Sequence, residues 1–130
     1  AVEMEAVALA AQRRGDKDLK AMKDALKDCR TAAAQQDMVR FAEADRRFHT
    51  LVVEATANPV LIGLYAELSD VLLTTMRELA PFGELKSQGR LHNLIYDAIC
   101  EQNAVTARKH LRAHLHETER RLHEALLGSE

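Results

Sequence analysis

Cysteine is scarce in this chain. The two present, Cys29 and Cys100, lie far apart and in no C-x-x-C arrangement. That excludes a disulfide framework and leads us to expect a reducing, cytoplasmic setting, with both residues as core or surface thiols. Long apolar runs are also missing. None approaches the roughly 18 residues that cross a bilayer, and no basic segment followed by an apolar core opens the chain. A soluble protein with no membrane partner is expected. Nor does one sign of charge dominate, since 18 basic against 20 acidic residues leave a net charge of -2. Without a basic excess, the chain by itself is not expected to hold DNA or RNA. Finally, no stretch alternates with period two for long enough to suggest a sheet.

What the chain does have is apolar residues, 47% of the total, at helical spacing. In 130 residues that composition fits one domain over 1–130 with a genuine core. The few prolines and glycines fall where helical patterns stop. Val2, Ala6, Leu9 and Ala10 form a first stripe that ends at Arg13-Arg14-Gly15. No capping residue precedes Val2, so the expectation is a fragment that begins inside a helix. Asp16 is expected to cap a second helix striped by Leu19, Met22, Leu26, Cys29 and Ala33. Asp37 is expected to cap a third, carrying Phe41, Asp45, Phe48, Val52 and Ala55.

Asn58-Pro59 breaks that pattern, with Asn as cap and Pro at the first helical position. A fourth stripe then runs through Leu61, Leu64, Leu68, Val71, Leu72, Thr75 and Leu79. Pro81-Phe82-Gly83 ends it, and the stretch to Gly89 reads as a loop or one short extra turn of helix. Leu91, Leu94, Ile95, Ala98 and Ile99 mark a fifth helix. Asn103 caps a sixth, striped by Ala107, Leu111, His114, Leu115, Thr118, Leu122, Ala125 and Leu126. The fold class is therefore all-α, an antiparallel bundle of six helices, or seven if the 81–89 stretch forms its own.

Asp45 is the most informative residue, because it falls between Phe41 and Phe48 on a stripe that faces the core. A buried carboxylate needs a cation, hydrogen-bond donors or a metal; the plain alternative is an Asp at the stripe's edge reaching water or a structural arginine. His49 follows one turn later, so both side chains can converge on one point. His114 lies on the apolar stripe of the sixth helix. His116 and His123 fall on its opposite face, and His110 is ambiguous. His92 flanks Leu91 near a helix start and can point inward. One carboxylate and three imidazoles make a ligand set for Zn²⁺, Ni²⁺, Mn²⁺ or Fe²⁺, and the residues alone do not choose among these ions.

Three segments in order carry a resemblance: Asp45-Arg46-Arg47-Phe48-His49 followed by Asn58, then Leu91 to Ile99 with His92, then Ala107 to Leu115 with His114. Together they resemble the effector-binding C-terminal FCD domain of GntR-superfamily, FadR-type transcription regulators, and the likeness extends over essentially the whole chain. It implies an FCD-like bundle with metal ligands at Asp45, His49, His92 and His114, while His110 becomes a neighbour. It also implies a divalent metal with open positions for a small carboxylate effector, a homodimer, and DNA contact through a winged helix-turn-helix domain that normally precedes this one and is absent here. Leu91 stands where the family often has glutamate, a departure outside the ligand set. Arg77 is the one candidate for recognising an effector carboxylate. An enzyme is not expected. The competing readings are a metal-dependent enzyme in a helical bundle and a purely structural dimerisation bundle.

Overall fold

A computed structural model describes the backbone of residues 2–79 and 85–128, and the side chains of these except residues 72, 73, 75–79, 85–88, 122, 125, 126 and 128. Six helices follow one another: α1 (Val2–Arg13), α2 (Asp16–Ala34), α3 (Met38–Glu54), α4 (Pro59–Leu79), α5 (Leu85–Cys100) and α6 (Ala104–Gly128). Among the described residues there is no strand. α2 packs on α3 and α5, α3 on α4, and α5 on α6, while α1 lies across α3, α5 and α6. No helix among the described residues is long and apolar enough to cross a membrane.

Local chemistry sets the helix boundaries. The Asp37 side chain accepts the Arg40 N–H at 3.0 Å, that of Asn58 accepts the Val60 N–H at 3.0 Å, and that of Asn103 accepts the Thr106 N–H at 3.0 Å. Each satisfies an orphan donor of a first turn. α2 departs from expectation. Its cap is Gly15, whose N–H donates to the Asp18 carboxylate at 2.8 Å, and Asp16 is already inside the helix. α5 also starts earlier than expected, so residues 85–89 belong to it rather than to a loop or a separate turn.

Three connections share one design. Gln36, Ala57 and Gln102 take left-handed backbone angles, with φ of 54°, 53° and 57°, just after α2, α3 and α5. Asp37 N–H then reaches back to Ala32 O at 2.9 Å, and Asn103 N–H to Ala98 O at 2.9 Å. These bonds close the ends of α2 and α5 as Schellman turns, and the residue that closes each also caps the following helix.

The main core gathers Val7, Met22, Leu26, Phe48, Ile95, Ile99 and Leu111 from α1, α2, α3, α5 and α6. The expected stripe of α3 is buried throughout, Phe41, Asp45, Phe48, Val52 and Ala55 alike. That of α4 is not. Leu64, Leu68 and Val71 are exposed, Leu61 is half-buried, and the inward row is Tyr65 and Ser69. α4 is rich in apolar residues around its circumference, so spacing alone could not tell its two faces apart. In α5 Leu94 likewise faces out while His92, Ile95 and Ile99 face in. Both cysteines are free; burial, with the Asp45 and Asp28 charges, pushes the Cys29 thiol up to about 12.

Candidate metal centre

Three helices deliver four polar side chains to one buried place. α3 supplies Asp45 and His49, α5 supplies His92 near its first described side chains, and α6 supplies His114. All four are buried, and one ligand atom from each lies within 4.8 Å of the others. Ligands bonded at up to roughly 2.2 Å sit at most roughly 4.4 Å apart across an ion, so only small side-chain adjustments separate this spread from a coordination shell. His110 is half-buried and outside the cluster. His116 and His123 are exposed.

The contacts within the cluster are those of donor atoms competing for one point. Asp45 Oδ1 lies 2.7 Å from His92 Nε2 and 3.2 Å from His49 Nε2, and those two nitrogens are 3.3 Å apart. Despite this crowding, Asp45 Oδ1, His92 Nδ1 and His114 Nδ1 are buried without a well-aligned hydrogen bond. Such orphaned atoms are costly in a dry interior, and a cation at the centre would take up the Asp45 Oδ1 lone pair and remove that part of the cost. The rings also brace one another. His49 stacks on His114 at 5.0 Å between centroids, and His92 meets His114 edge-on at 4.7 Å.

Electrostatics divide the group. Burial pushes the Asp45 carboxyl up, but the His92 and His49 imidazoles outweigh it and hold it well below the usual carboxylate range. Burial works to discharge His49. The Glu3 and Asp45 carboxylates on its two sides overcome that and hold its pKa well above the usual histidine value. For His114, burial and then the neighbouring His92 and His49 act in the same direction, and it stays neutral.

Several lining residues were not picked out from the sequence. A cavity of about 70 Å³ opens beside the cluster, walled by Glu3, Arg46, Tyr65, Ser69 and Thr118 together with Asp45, His49 and His114. Glu3 lies on α1 and accepts from His49 Nδ1 at 2.9 Å. Burial and this carboxylate push the Tyr65 hydroxyl up, so it remains a donor. Arg121 is buried on α6 and lies near enough to His114 to help depress it. Its signal was present, because 114, 118 and 121 share one helical face. Arg77 lies in α4, and its side chain is outside the described residues.

Comparison with known proteins gives the family of the chain. The profile described as the FCD domain matches residues 1–117. The chain is 33% identical over 120 residues to the HTH-type transcriptional regulator LutR of Bacillus subtilis (strain 168), covering 88% of this chain and 54% of that protein. It is 25% identical over 117 residues to the uncharacterized HTH-type transcriptional regulator YcbG of the same organism, covering 88% and 47%. The chain thus spans about half the length of the curated relatives it matches. Among solved structures, E. coli McbR/YncC superposes with a TM-score of 0.85 at 20% identity, over 95% of this chain and 63% of that one.

Proposed function

The chain belongs to the FCD domain family, and from that premise we propose that it is the metal-dependent ligand sensor of a GntR/FadR-type transcription regulator. Its relatives are named as regulators, not as enzymes. In this reading Asp45, His49, His92 and His114 would hold a divalent ion, which supplies a Lewis-acidic anchor for a small carboxylate effector in the adjoining cavity. Arg46, Ser69 and Thr118 line that cavity and would contact the rest of the effector, with Arg121 adding positive potential. The longer protein would act in the cytoplasm as a homodimer, touching DNA through a winged helix-turn-helix domain outside this chain. An effector that binds two arrangements of the bundle with different affinity shifts the population between them, and this changes how the two DNA-binding domains are held.

The observation that carries the reading is the convergence of four buried ligand atoms within 4.8 Å, three of them imidazole nitrogens, beside a cavity in a family of regulators. Metal analysis of protein purified without chelator tests it, alongside Asp45→Ala/His114→Ala. The wild type is expected to carry about one ion per chain and the double variant essentially none; equal content in both sinks the site. A thermal-shift screen of mono-, di- and tricarboxylates then tests the effector class, because a ligand bound only by the folded state raises the midpoint.

A further inference from the structure

We propose that Glu3 is a positioning residue that couples α1 to the metal centre, by accepting the Nδ1–H of His49 and so aiming His49 Nε2 at the point where the other donors meet. The inference rests on the metal reading above and adds to it a residue from a helix that contributes no ligand.

The three imidazoles are not equivalent. His92 Nδ1 and His114 Nδ1 have no hydrogen-bond partner, whereas His49 Nδ1 faces the Glu3 carboxylate at 2.9 Å. A ring that gives its second N–H to a carboxylate is locked in tautomer and orientation, and its coordinating nitrogen becomes more basic. His49 is therefore the ring whose direction is fixed from outside the cluster. Turning it over would take from a carboxylate that is only 15% exposed its imidazole donor and leave it the Tyr65 hydroxyl alone. Glu5, two residues on, shows the alternative: its side chain is 67% exposed and pairs with the half-exposed Arg108 at 3.3 Å. A surface acid could have served α1 at position 3 as well, yet the acid there is turned inward to His49.

The anchoring of α1 supports the coupling. Its C-terminal end is tied by Arg13 Nη1 to Thr56 O at 2.9 Å, and by Arg14 Nη2 to Cys100 O at 2.7 Å. Between the ends, Ala6, Val7, Ala10 and Ala11 pack fully buried. At the N-terminal end Arg108 Nε donates to Met4 O at 3.4 Å, and Glu3 meets His49. Tyr65 of α4 sits beside the same carboxylate, so α1, α3 and α4 meet at this group. Seating of the first turn of α1 and correct aim of His49 are thus one condition, and linkage makes the influence reciprocal.

Co²⁺ titration of this chain against a competing chelator, followed through the visible spectrum of the bound ion, reads the aim of His49. Hydrogen exchange at residues 4–8 with and without Zn²⁺ reads the seating of α1. Glu3→Ala is expected to weaken Co²⁺ binding 10- to 100-fold, to alter the spectrum, and to abolish the Zn²⁺-induced protection of α1. Glu3→Gln, whose amide oxygen still accepts, recovers part of both, and it decides by the same two measurements if Glu3→Ala does not fold. Glu5→Ala, on the same helix and equally acidic, leaves both readouts unchanged. Unaltered Co²⁺ affinity and undiminished α1 protection in Glu3→Ala overturn the role of Glu3 while the metal centre stands. A wild type that takes up no Co²⁺ overturns the centre itself, and this role with it.

Discussion

One turn of α3 sends Phe48 into the apolar core and His49 into the polar cluster, so two adjacent residues belong to regions held together by opposite means. The apolar region, with Met22, Phe48, Ile95 and Ile99 essentially fully buried, is stabilised by removal of surface from water and tolerates change as long as volume is kept. The polar region has the same burial but orphaned acceptors, charges held by neighbouring charges, and imidazoles at van der Waals distance. Its arrangement costs stability unless something occupies the centre. The same helices can therefore build a region selected for stability and one selected for binding, and burial alone does not distinguish them.

Substitutions and changes of condition can break that contrast, and the largest effect is expected in the apolar region. Phe48→Ala should remove about 3–5 kcal/mol of stability in denaturant unfolding, from lost transfer energy and the cavity left behind, while the chain that remains folded still takes up metal. Loss of metal with no loss of stability would reverse the assignment of the two regions. Next comes metal itself: Zn²⁺ at a hundredfold excess over its dissociation constant should stabilise the wild type by about 2.7 kcal/mol. Asp45→Ala/His114→Ala should show no such gain. A double variant that collapses without metal would show the cluster to be a structural element.

The pH dependence is smaller and differs in sign between the two states. Without metal, the raised His49 pKa contributes stability that is fully present below the unfolded value of about 6.5 and is lost as pH rises through the folded value. The depressed His114 contributes the opposite slope below about 6.5, where the unfolded chain binds the proton first. Metal-free protein should therefore be most stable near pH 6.5, with a slope of at most about 1.4 kcal/mol per pH unit for each group. Metal-loaded protein should instead gain stability as pH rises through neutrality, because coordination requires neutral imidazole. Parallel melting curves across pH 5 to 9 with and without Zn²⁺ would refute this. The smallest effect tests ground outside both regions: Gln36→Gly should leave metal uptake untouched and raise stability by about 1 kcal/mol or less, by relieving a left-handed residue.

How much of this the sequence disclosed depended on contrast within each helix. α3 alternates apolar and polar residues sharply, so its inner face and its cap at Asp37 could be read directly, while Asp45 on that stripe could equally have reached water at its edge. α4 offers apolar residues on both sides. Its cap at Asn58 was readable, but its buried row through Tyr65 and Ser69 was hidden behind the more hydrophobic Leu64 and Leu68. The convergence of His92 with His49 depends on how α5 crosses α3, and the family motif supplied what periodicity had only permitted. Glu3 could not have been found by pattern, because its partner lies 46 positions away and α1 carries no ligand of its own. Gly15 took the cap expected of Asp16 because Asp18 lies three residues beyond it, placed to accept the glycine N–H.

The repeated turn after α2, α3 and α5 bears on how such a bundle can respond at all. Each reversal folds a helix stop, a left-handed residue and the next helix's cap into a few positions, with the backbone N–H groups of the turn already engaged. A connection of this kind has no slack to pay out, unlike a flexible loop that stretches while its flanking helices drift apart. Displacement of α3 at the cluster must pass through rigid corners into α2 and α4, and displacement of α5 into α6, so these helices would move as joined pieces of one frame.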